Sequence, residues 1–186
     1  MRSVIAVVLA TAALSATTND AQSAHAKFYL IQHGKPAPGA RISLSNNELS
    51  AWIRDESAYW ASYGATNLRF DLAPGAATVY ADIDFLRARK AATGEAPGWL
   101  LRNLFSGKKP VVVNARFASA NGKGKVDVDR VEVNGVAVEG AALDMLIQDY
   151  VKPNFPEAKV AEWFPLEFRV NRFTVSPGGV TVVIGK

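Results

Sequence analysis

The sequence predicts an α+β fold, a long, curved, mostly antiparallel sheet of hairpins wrapped around amphipathic helices. Three observations predict it. Three segments alternate apolar and polar residues and turn back at glycine-bearing bends. Two others carry apolar residues at helical spacing. No linker-like or low-complexity stretch divides the chain, so one domain is expected.

At the N-terminus, Arg2 precedes an uncharged run from Val4 to Ala16, then a polar stretch, Thr17 to Ser23, and then Ala24-His25-Ala26. Small residues at −3 and −1 behind an apolar run are the layout of a secretory signal peptide. The run has about 13 residues, short of the roughly 20 that span a bilayer as a helix. Residues 1–26 are therefore expected to be a signal peptide and 27–186 a single α+β domain beginning near Lys27. Cuts after Ala21 or Ser23 also fit. The expected location is the periplasm or the exterior. The chain has no Cys, so the exported fold uses no disulfide and carries no lipidated cysteine. Its net charge of +4 is unchanged by loss of Arg2 and Asp20. That is too small to argue for nucleic acid.

Residues 27–41 hold Gly34-Lys35-Pro36-Ala37-Pro38-Gly39, which reads as an extended opening segment with a loop. Ser45-Asn46-Asn47-Glu48 is a capping box, and Leu49, Trp52 and Ile53 follow at helical spacing. That helix ends near Glu56 or runs on to Tyr63, with Gly64 as a stop. The period then changes to two. Leu68, Phe70 and Leu72 lead to Pro74-Gly75, and Val79, Ala81, Ile83 and Phe85 return. Pro97 to Phe105 reads as a short helix with proline in its first turn.

A second hairpin takes Val111, Val113, Ala115 and Phe117 into Asn121-Gly122-Lys123-Gly124 and back through Val126, Val128, Val131 and Val133. The three-residue step after Val128 predicts a bulge at Asp129-Arg130. Leu143, Leu146, Ile147, Tyr150 and Val151 form an amphipathic stripe that Pro153 stops. Phe168, Val170, Phe173 and Val175 open a third hairpin, which turns at Ser176-Pro177-Gly178-Gly179 and returns through Val180, Val182 and Ile184.

Residues suited to catalysis are sparse. Of two histidines, His25 leaves with the signal peptide, and His33 reads as an exposed loop residue. One histidine and no cysteine supply too few ligands for zinc or a redox metal, and no Gly-x-Ser-x-Gly elbow presents a nucleophile. Asp82 and Asp84, and Asp127 and Asp129, lie at strand spacing opposite apolar rows, the pattern of a solvated sheet face. No catalytic residue, metal site or cofactor is expected. The stretch 87–109 is the most basic, and it encloses an aromatic, Leu-rich helix. Trp99, Leu100, Arg102, Lys108 and Lys109 there have the composition of a peripheral contact with an anionic membrane, or of a core-facing helix with snorkelling flanks.

Two stretches carry a likeness to known proteins: Ile42-Ser43-Leu44-Ser45-Asn46-Asn47-Glu48-Leu49-Ser50-Ala51-Trp52-Ile53, and residues 124–138, which hold Val133-Asn134-Gly135-Val136 and run into the helix 140–151 and a terminal hairpin. In this order of elements, over about residues 42–186, the chain resembles the bacterial tubular lipid-binding (TULIP-like) proteins, nearest the LmeA-like phospholipid-binding envelope family. The resemblance implies an elongated sheet curled around a helix, with an apolar crevice for acyl chains and no catalytic residue. A single unit of this length implies a homodimer for autonomous lipid carriage.

The expected function is non-catalytic binding of lipid or another apolar small molecule in the cell envelope, in lipid transfer or envelope maintenance. The apolar groove is expected from Leu49, Trp52, Ile53, Leu143, Leu146, Ile147 and Tyr150. The alternative is a structural or interaction module with a fully packed core and a protein partner.

Overall fold

The structure is a computed structural model, and it describes residues 19–94, 107–148 and 161–186. Its described residues form an α+β fold of five helices, a six-stranded sheet and a second sheet of three strands. Helix α1 covers 19–32. Strand β1 (Arg41–Ser45) leads into α2 (Asn46–Asp55) and α3 (Ser57–Ser62). Strands β2 (Ala65–Ala73) and β3 (Ala76–Asp84) precede α4 (Phe85–Thr93). Strands β4 (Lys108–Ala120), β5 (Lys123–Val133) and β6 (Val136–Val138) follow, then helix α5 (Ala141–Leu146). The chain ends in β7 (Trp163–Pro165), β8 (Val170–Ser176) and β9 (Gly179–Ile184).

The larger sheet runs β2-β3-β4-β5-β6, with β7 pairing the far end of β5; all its pairings are antiparallel. Its turns follow from their residues. Asn121 and Gly122 have φ of 52° and 72°, and Asn134 and Gly135 have 54° and 77°. Asn-Gly pairs tolerate two successive positive φ values, as a tight hairpin turn matched to strand twist demands. The expected bulge is present. Asn114 pairs with Arg130 but Ala115 with Val128, which leaves Asp129 as the extra residue. Asp129 turns to the neighbouring strand and accepts from Arg116 Nε and Nη2 at 2.6–2.9 Å.

The registers place apolar residues on one face. Phe70, Val79, Val113, Val131 and Val138 form one continuous row across five strands, and Ala81, Val111, Val133 and Val136 form the next. Burial along them is uneven: Val131 is buried, whereas Val79 keeps 37% and Val136 67% of its surface. The opposite face is polar, with Asp71, Thr78, Asn114 and Arg130 in one row.

The smaller sheet runs β1-β9-β8. Its strand β8 crosses the turn end of the larger one. Gly75 and Gly122 donate to the carbonyls of Val175 and Asn171 at 3.0 and 2.8 Å. Ser119 Oγ donates to the Phe173 carbonyl and accepts from the Phe173 amide. The two most buried large side chains, Leu44 and Ile184, belong to this smaller sheet. Ala51 of α2 and Ala21, Ala24 and Ile31 of α1 are buried as well.

Three segments bear on the sequence reading, two of them as corrections. Residues 27–32 are helical rather than extended, because they continue α1; the loop begins only at His33. Phe85 opens α4 instead of closing β3: Asp84 caps the helix by accepting from the Arg87 amide at 3.0 Å. Gly94, at φ 73°, ends it in the left-handed conformation. Both endings foreseen for the helix after Ser45 occur, since α2 stops at Asp55, Glu56 leaves helical geometry, and α3 resumes. The short helix foreseen at Pro97–Phe105 lies outside the described residues.

Candidate functional site

The candidate site is a cleft where α1 meets α2 and α3. Helix α1 can pack there because Ala21, Ala24, Phe28 and Ile31 recur at steps of three, four and three, one stripe of an α-helix. The small alanines allow close approach. Ser23 and Lys27, one turn apart, reach Glu48 in the first turn of α2. Glu48 closes the expected capping box, accepting from the Ser45 amide at 2.7 Å while its own amide donates to Ser45 Oγ at 3.2 Å. It also accepts from Ser23 Oγ and from Lys27 Nζ at 2.6 and 2.8 Å. Lys27 donates a further bond to the Ser43 carbonyl at 2.7 Å.

Glu48 is buried, 7% exposed. Burial alone would raise its pKa, but the hydrogen bonds from Lys27, Ser23 and the Ser45 amide, with the charge of Lys27, lower it from 4.5 to about 2. A depressed carboxylate pKa contributes stability that is complete above the unfolded value and is lost as pH falls through the folded one. The contribution is on the order of 3 kcal/mol. Thermal unfolding followed by circular dichroism should therefore show a melting temperature that drops between about pH 4.5 and 2. In Glu48→Gln that part of the drop should disappear and the neutral-pH melting temperature should fall. Parallel pH profiles for the two proteins would refute this role.

Beyond this network lies a cleft of about 970 Å3. Phe28, Tyr29 and Leu30 of α1, Trp52 of α2, and Tyr59 and Trp60 of α3 wall it, and His25, Gln32 and Glu56 stand among its polar groups. The rings contact one another at steep angles. Phe28 and Trp52 have centroids 4.8 Å apart, tilted 48°. Trp52 meets Trp60 edge-on at 6.2 Å and 86°, and Tyr59 meets Trp60 at 5.1 Å and 78°. Such inclined contacts suit aromatic quadrupoles and make a concave wall. A hydrogen bond with Tyr63, together with the electrostatics of Tyr63 and Glu56, raises the pKa of Tyr59.

At the rim His25 Nε2 lies 2.8 Å from Asp55 Oδ2 and 3.8 Å from Glu56 Oε1. The donor atoms of these three residues fall within 4.8 Å of one another, so His25, assigned from sequence to a departing leader, is placed among ligand-type groups. Trp60 Nε1 is buried without a hydrogen-bond partner.

The groove expected from sequence divides. Trp52 lines the cleft, and Leu49 and Ile53 are half-buried on the same helix. Leu143, Leu146 and Ile147 belong to α5 and the turn after it, where each is half-exposed. Among the described residues no element packs extensively on α5, and none of the three lines the cleft. Tyr150 lies outside the described residues. So do Trp99, Leu100 and Arg102 of the membrane-contact group, while Lys108 and Lys109 open β4 opposite Asp84 and Ile83. His33 is exposed, as expected, stacked on Tyr29 with ring centroids 3.9 Å apart.

The strand carboxylates all have structural partners: Asp82 accepts from Asn67, Asp84 caps α4, Asp127 pairs with Lys125 and Asp129 with Arg116. Arg116 holds the Asp129 pKa below its ordinary value, chiefly by hydrogen bonding. Sequence reading missed His25, Phe28, Tyr29, Glu56 and Tyr59. The spacing of Ala21, Ala24, Phe28 and Ile31 was the available signal for the first three.

No family model, curated protein or solved structure matches the chain. No helix among the described residues is long and apolar enough to cross a membrane.

Proposed function

We propose that this chain is a non-catalytic binding protein of the cell envelope, and that its ligand is an apolar small molecule or the apolar part of a lipid. The observation that carries this reading is the aromatic cleft between α1 and α2–α3, whose volume of about 970 Å3 lies within the range of small-molecule sites, about 300–1,000 Å3. The cleft is open to solvent and leaves large apolar side chains partly uncovered, Tyr29 at 48% and Tyr59 at 52%, a surface that an apolar ligand would cover. The charge of Arg2 and the apolar run Val4 to Ala16 support export, and a cleft lined by His25 and Ala26 then requires a leader cut upstream of α1. The likeness to tubular lipid-binding envelope proteins supports an acyl chain as the apolar group.

The test uses a neutral fluorescent probe, N-phenyl-1-naphthylamine, and two tryptophan substitutions. Ala26 lines the cleft and is exposed, so Ala26→Trp should fill the space without crowding the core. Its melting temperature should stay within about 2 °C of wild type, equivalent to under 1 kcal/mol, while probe affinity should fall at least tenfold. Leu146→Trp, on α5, should leave probe binding unchanged. A probe that never binds wild type would overturn the reading and favour an interaction module. Loss of binding in Leu146→Trp but not Ala26→Trp would move the site to α5.

A further inference from the structure

We propose that the cleft selects an organic cation of the quaternary-ammonium class, seated against the aromatic wall with its charge facing Glu56. The inference rests on the cleft being the binding site and adds the charge of the ligand. Among the residues lining the cleft Glu56 is the one fixed charge, and it is negative. Asp55 stands beside it at the rim, where His25 bridges the two carboxylates. An anionic ligand would meet repulsion there. A neutral one would gain no charge attraction from the carboxylates.

The wall fits the same class. Aromatic faces attract cations within about 6 Å of the ring centroid, tryptophan most strongly, and a ring of inclined aromatics is how alkylated ammonium groups are recognised. Trp52, Trp60, Tyr59 and Phe28 supply four rings at mutual angles of 48° to 86°. A quaternary ammonium has no N–H to satisfy, so it needs no hydrogen-bond acceptor inside the wall, only π faces and a nearby negative charge. Tyr29, a further ring on the cleft, already carries a cation, with Lys35 Nζ 4.6 Å from its centroid, so the ligand's charge is assigned to the other four rings on the Glu56 side. A trimethylammonium head fills part of the volume, and the remaining cleft admits an apolar tail.

The experiment titrates the full chain with choline and with its uncharged carbon isostere, 3,3-dimethyl-1-butanol, reading tryptophan emission and calorimetric heat. Choline should bind at least tenfold more tightly than the alcohol. Glu56→Gln, an exchange at a half-exposed position that makes no side-chain cap bond, should weaken choline about fivefold and leave the alcohol unchanged. Trp60→Leu should weaken both. Competition by phosphatidylcholine vesicles, set against phosphatidylglycerol vesicles, then separates a lipid head group from a free solute as the source. Either source supports the class.

Equal affinity for choline and the alcohol would overturn the cationic inference while leaving an apolar site standing. So would choline binding insensitive to Glu56→Gln. Binding of neither compound, together with no binding of N-phenyl-1-naphthylamine, would overturn the site itself.

Discussion

Gly179→Ala is expected to cost about 3–5 kcal/mol, lowering the melting temperature by roughly 10 °C or more. Gly179 opens β9, the central strand of the smaller sheet, and pairs with Ser45 on one side and Ser176 on the other. Its φ is 137°, a region open in practice only to glycine. A Cβ there would overlap the carbonyl oxygen of Leu44 and approach Ser45 Cα to 2.9 Å. Both obstacles are backbone of the paired strand, so relief requires β1 to move away from β9. That movement would disturb Leu44, the buried residue before the cap, and the start of α2, whose Asn46 amide donates to the Gly178 carbonyl at 3.0 Å. Gly178→Ala is the control, because a Cβ there meets nothing within 4 Å. Its melting temperature should stay within about 2 °C of wild type, under 1 kcal/mol. Equal melting temperatures for the two variants would refute the β1–β9 pairing at this end.

The hairpins were legible because their signals are local. Alternation assigns each strand residue to a face, and Asn121-Gly122 and Asn134-Gly135 carry the turns they encode. The bulge at Asp129 could be read because one extra residue between Val128 and Val131 breaks a period of two. Ser45 and Glu48 announced α2 through a capping pattern only four residues long. What failed was competition between two local readings. Phe85 continued the alternation of β3, yet Asp84 before it was also a helix cap, and the cap prevailed. Residues 17–26 offer two readings that both stand, and one of them is the composition of a leader's end. Those from Asn19 onward also carry the stripe of a packed helix.

The cleft was the least legible part. Trp52 could be found from helical spacing, but its ring partner Phe28 and the neighbouring Tyr29 lie on α1, and nothing local in α2 points to them. The carboxylate rim has the same origin. His25 and Asp55 are 30 residues apart, and the fold alone brings them to 2.8 Å.

A chain that begins at Lys27 is expected to be less stable than one that begins at Asn19, by on the order of 3–5 kcal/mol, and to bind cleft ligands at least tenfold more weakly. The shorter chain lacks buried Ala21 and Ala24 and the Ser23 bond to Glu48. Only residues 27–32 of α1 would remain, too few to hold a helix without strong packing. Ile31 would then lose its anchorage, and Phe28 and Tyr29 would leave the cleft wall. His25 and Ala26 would be gone from it outright. If the chain is exported with this fold intact, the proposed leader must be cut upstream of the stripe, and N-terminal sequencing of protein from the envelope fraction should then find a first residue before Ala21. Two measurements decide this: the melting temperatures of the two chains, which should differ by about 10 °C, and their affinities for N-phenyl-1-naphthylamine. If the chain starting at Lys27 matches the longer one in both, the first turns of α1 contribute nothing to the domain. The boundary after Ala26 would then stand, and the cleft would have to be rebuilt from α2 and α3 alone.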